Sequence, residues 1–86
     1  MDDFGHFLKI RYGLPPNEPT AEQLKRITDE ISRFATQHGR EPNDQETAAI
    51  VRAHCPLAGT YKYGADVNAE LRRQIALLAS ASQARK

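Results

Sequence analysis

Four side chains in this sequence have the chemistry to hold a metal or to drive a nucleophilic reaction: His6, His38, His54 and Cys55. Their spacing fits no metal site, because structural zinc ligands come in close pairs separated by a few residues. His54 and Cys55 are adjacent, and on a helix they would point roughly 100° apart, away from a common ion. A buried thiol and surface or half-buried histidines account for the same residues, so no metal and no other cofactor is expected. Covalent catalysis fares no better. A reactive cysteine needs its thiolate stabilised, commonly at a helix N-terminus, whereas Cys55 precedes Pro56 at the C-terminal end of an expected helix, where the dipole opposes an anion. There is no Gly-rich phosphate loop and no GxSxG elbow. The neighbouring carboxylates Asp29 and Glu30 sit beside Lys25, Arg26 and Arg33, the pattern of an ion-paired exposed helix face. No enzymatic activity is expected.

A second set of residues suits binding. Tyr61, Lys62 and Tyr63 lie between Gly59 and Gly64. Aromatic rings alternating with a base can stack on nucleobases or anchor a protein interface. The same tyrosines also suit a place at the edge of the core with their hydroxyls in water. Arg52, Arg72 and Arg73 fall in the same third of the chain. The net charge of +1 is far from the excess of a dedicated nucleic-acid binder, but it is unevenly spread. Residues 1–51 hold six basic and nine acidic side chains, and residues 52–86 hold six basic and two acidic ones. A weak basic face and an ordinary solvated helix surface both account for that asymmetry.

The elements that must position these residues read as helices almost throughout. From about Asp2 to Tyr12, Phe4, Phe7, Leu8 and the stem of Arg11 fall on one face, with Asp2 and Asp3 suited to the positive end of the dipole. Gly13 ends that helix, and residues 14–19, with three prolines, form an extended or turning linker. Thr20 and Gln23 make a capping box for a helix to residue 38, striped with Leu24, Ile27, Ile31, Phe34 and Ala35 and stopped by Gly39. Asn43 and Glu46 cap a third helix to residue 55, with Thr47, Ile50, Val51 and His54 on one face; Pro56 stops it. Residues 56–65 form a loop in which Thr60 to Tyr63 can be extended, with no evident pairing partner. Asp66 caps a fourth helix, expected over 66–79, with Val67, Leu71, Ile75 and Leu78 turned inward. The expected core is Leu24, Ile27, Ile31, Phe34, Ile50, Val51, Leu71, Ile75 and Leu78.

Within this pattern the segment Phe34 to Ile50, with its Gly39-Arg40-Glu41-Pro42 turn followed by an acidic helix start, resembles one unit of the bacterial sigma factors. The match is to the helix-turn-helix-like hairpin of their third region and covers residues 31–51. It lapses after Val51, where His54-Cys55-Pro56 replaces the short interhelical turn. The resemblance implies a hairpin of two packed helices and a DNA-binding relationship. Glycine stopping one helix and proline opening the next explain such a hairpin without any kinship.

Eighty-six residues make one domain, expected over 1–80 with a frayed tail at 81–86. The fold class is all-α: a compact bundle of three main helices with a shorter N-terminal helix packed across them. A single cysteine fits a reducing compartment. No apolar run approaches the roughly 18 residues that cross a bilayer, and the acidic start lacks a leader pattern; the expected location is the cytoplasm. No small-molecule substrate is expected. Two partner readings stand. One is a small regulatory or accessory protein contacting nucleic acid through Arg52, Tyr61, Lys62, Tyr63, Arg72 and Arg73. The other is a protein-interaction module or homodimer using Phe4, Phe7 and Leu8 or the apolar stripe of the last helix.

Overall fold

A computed structural model of the chain describes residues 4–83, which form four helices: α1 (Phe4–Tyr12), α2 (Ala21–His38), α3 (Asp44–His54) and α4 (Asn68–Gln83). There is no strand among the described residues. The fold is the expected all-α bundle, 38 × 23 × 22 Å in extent. The amphipathic α2 is its spine: α3 and α4 pack on it, and α1 lies across α3 and α4. No helix among the described residues is long and apolar enough to cross a membrane.

Helix ends are set by the signals in the sequence. The Thr20 hydroxyl accepts from the Gln23 amide at 3.1 Å, and the Gln23 side chain accepts from the Thr20 amide at 2.8 Å. Asn43 and Glu46 do the same for α3, both bonds at 2.8 Å. Gly39 takes the left-handed conformation, φ 69°, as the C-cap of α2. The α2–α3 turn is then locked by charge. The Arg40 guanidinium forks onto both Glu46 oxygens at 2.8 and 2.9 Å and lies 5.0 Å from the centre of the Phe34 ring.

The core comprises Phe4, Leu8, Leu14, Ile27, Ile31, Ile50, Val51, Cys55, Leu71 and Ile75, with Leu24 and Leu78 packed partly against it. Phe34, expected in the core, is only half-buried, and Ala35 takes the inward position beside Ile31. Its ring instead covers the hairpin, 4.2 Å from the His38 ring. Leu14, expected in a linker, is fully buried, carried inward by the close of α1. Its amide donates to the Lys9 carbonyl at 3.0 Å, the six-to-one bond of a Schellman ending around Gly13.

The expected bounds of the last helix need correction. α4 starts at Asn68, with the Asp66 carboxylate accepting from its amide at 3.0 Å. It runs on to Gln83 instead of ending at Ala79, because no glycine or proline interrupts a stretch of good helix formers. Residues 81–83 of the expected tail are therefore helical; Asp2, Asp3 and residues 84–86 lie outside the described residues. Phe4 and Leu8 are fully buried, and Leu71 and Ile75 of the last helix are equally enclosed. Phe7 and Leu78 are half-buried and Leu77 of the last helix is 57% exposed, so each stripe is enclosed only in part.

Candidate functional site

The binding residues read from the C-terminal third divide into two groups in space. Arg52, Tyr61, Lys62 and Tyr63 come together; Arg72 and Arg73 do not join them. The convergence is produced by the loop after α3, which folds back over the end of α1. The Gly59 amide donates to the Tyr12 carbonyl at 2.7 Å, and the Tyr61 amide donates to the Gly13 carbonyl at 3.1 Å. The extended piece thus finds its partner in a helix end, which no strand pattern announces. Gly13 has φ 65°, and a Cβ there would run into the Tyr61 carbonyl oxygen. Only glycine permits this approach.

Between the end of α1, the outer side of α3 and this loop lies a depression of about 420 Å³, lined by Arg11, Tyr12, Arg52, Tyr61, Lys62 and Tyr63 together with Ile10 and small residues. Three cations and three tyrosines share it, and no carboxylate lines it. Two further depressions adjoin it. One shares Arg11, Tyr12 and Arg52 and runs to Asp44, and the other shares Arg11 and Tyr63 and runs to Asp66. Among the described residues Arg11, Arg52 and Lys62 form no ion pair. The Arg11 guanidinium lies 5.2 Å over the Tyr12 ring. Burial pushes the Tyr12 phenol above its ordinary range, and among the described residues its hydroxyl has no hydrogen-bond partner. Tyr61 is 46% exposed. Tyr63 is half-buried, and its hydroxyl donates to the Leu14 carbonyl at 2.6 Å. The two rings are nearly parallel, 18° apart, with centroids separated by 6.4 Å.

Arg72 is committed elsewhere. It donates to Glu41 at 2.8 Å, to Asp44 at 3.3 Å and to the Pro42 carbonyl at 3.1 Å, pinning α4 to the mouth of the hairpin. Arg73 is exposed and does not line the depression. Arg11 and Tyr12 were the residues missed. Arg11 was assigned to the inner stripe of α1 but is exposed. The available signal was the Arg-Tyr-Gly sequence at a helix end, which presents both side chains where a later loop can return.

The residues with catalytic or ligand chemistry do not converge. His6 is exposed, and the Cys55 thiol is buried. His54 Nε2 lies 2.7 Å from Glu30 Oε1; Glu30, expected to pair with its helix neighbours, instead ties α2 to the end of α3. No group of three or more His, Cys, Asp or Glu side chains among the described residues could hold a metal ion.

No family model matches the chain, and neither a curated protein nor a solved structure was found to be similar to it.

Proposed function

We propose that this protein is a small accessory or regulatory module that contacts nucleic acid through the groove of Arg11, Arg52, Lys62 and Tyr61. One observation carries the proposal: three cations that form no ion pair among the described residues and an exposed ring line one depression whose lining has no carboxylate. A chain of net charge +1 achieves locally what its overall balance does not. Arg11 and Arg52 suit phosphate oxygens, which a guanidinium meets with paired donors. The sigma-like hairpin serves as the frame that carries Arg52. At its own mouth Arg40 and Arg72 are already engaged by Glu46, Glu41 and Asp44. Arg72, engaged by two of those carboxylates, is structural, and Arg73 lies outside the contact.

The test is a titration of labelled single-stranded DNA or RNA at about 50 mM salt, repeated as salt is raised. Three phosphate contacts on a single strand give a slope of about −2 in log K against log salt. Absence of binding at tens of micromolar protein, or binding that ignores salt, overturns the proposal.

A further inference from the structure

The two tyrosine rings give the groove a more specific task. A chain with phosphates every step spaces its stacked bases by about 3.4 Å, so a planar ring held between two others needs them about 6.8 Å apart. Tyr61 and Tyr63 are nearly parallel with centroids 6.4 Å apart, within the range of directly packed aromatic pairs, so a small outward swing of the exposed ring is needed to admit a base. The Tyr63 ring and the Tyr61 backbone are held in place. Tyr63 is tied through its hydroxyl to the Leu14 carbonyl at 2.6 Å, and Tyr61 through its amide to the Gly13 carbonyl at 3.1 Å. The Tyr61 ring is open to solvent, and Lys62 sits between the two in sequence with its side chain on the same depression as Arg11 and Arg52.

We infer that Tyr61 and Tyr63 form a clamp for one unpaired nucleobase, whose flanking phosphates are held by Arg11, Arg52 and Lys62. This rests on the groove being the nucleic-acid contact, and it adds strandedness: a base inside a duplex cannot enter the clamp without leaving its stack. Tyr63 is the fixed inner jaw and Tyr61 the outer one. Discrimination among bases is weak, since every base offers a π face.

The experiment compares three ligands with the intact chain at low salt: a short single strand, the same strand carrying abasic sites throughout, and the duplex. The chain has three tyrosines and no tryptophan, so its own emission reports on ring contact. The single strand is expected to bind roughly 5- to 150-fold tighter than the abasic strand, the worth of one stacked base, and to quench tyrosine emission. Tyr61→Ala, at an exposed position, should bring the two strands to equal affinity without altering the salt slope. Equal binding of base-bearing and abasic strands by the unaltered chain, or a duplex bound as tightly as the single strand, overturns the clamp and leaves the groove standing. Failure of all three ligands to bind overturns both.

Discussion

Cys55 shows how burial decides what a residue can do. Its thiol is enclosed in the core, and desolvation, reinforced by the charge of Glu18, pushes its pKa above the ordinary cysteine value. A thiol reagent is expected to label the native chain slowly and the denatured chain at once, which a colorimetric time course with and without denaturant would show. Cys55→Ser is expected to lower stability by about 1–3 kcal/mol, because a hydroxyl left there without a partner loses its hydration, and to leave strand binding unchanged. The contrast between Ile31 and Phe34 follows the same logic. Ile31 has no exposed surface, so Ile31→Ala is expected to cost about 2–5 kcal/mol. Phe34 is only half-buried, so its truncation should cost less than that, about 1 kcal/mol, through lost cover of the Arg40 side chain. Equal falls in Tm for the two variants would mean that the Phe34 ring is in the core after all.

At the scale of elements, the α2–α3 hairpin is the best-specified part of the molecule, and its acid sensitivity is predictable. The Arg40 fork, with help from the Asn43 amide, holds the Glu46 carboxyl at about 2. The folded pKa lies below the unfolded one, so the stabilisation is complete above the ordinary glutamate range and is lost as pH falls through the folded value. Tm should therefore drop between about pH 4.5 and pH 2, and Glu46→Gln should flatten that part of the profile, as thermal melts in a pH series would show. The caps of this hairpin were legible because each joins residues three apart: Thr20 to Gln23, Asn43 to Glu46. The fold class was legible too, from helical periodicity. What the sequence did not disclose depends on closure over longer separations. Leu14 enters the core only because α1 ends in a Schellman turn, and Tyr61 meets Gly13 only once the loop after α3 has folded back. Two adjacent inward candidates, Phe34 and Ala35, cannot be ranked by periodicity alone. Of the candidate site, Arg52 and the Tyr-Lys-Tyr run were legible by type, whereas Arg11 and Tyr12 came from the other end of the chain.

Across the whole molecule, arginines of the same type are divided between holding the bundle together and facing outward. Arg72 links residues 28 and 31 positions away. Nothing in its own helix marks it as different from Arg73, and that is why sequence reading grouped the two with Arg52. The structure separates them by what lies opposite. Arg72 is paired with Glu41 and Asp44, whereas Arg52 is in no ion pair among the described residues and lines the depression it shares with Arg11 and Lys62. Arg72→Gln is therefore expected to cost about 1 kcal/mol of stability, the modest value of a part-exposed ion pair, while strand affinity and its salt slope stay unchanged. Arg52→Gln should do the reverse: an unchanged melt, with weaker binding at low salt and a slope shallower by about 0.7, one phosphate contact fewer. Measuring melts and salt titrations for both variants side by side tests the division. If Arg72→Gln weakens binding as much as Arg52→Gln while melting like the unaltered chain, the phosphate contact reaches α4 and the groove has been drawn too small.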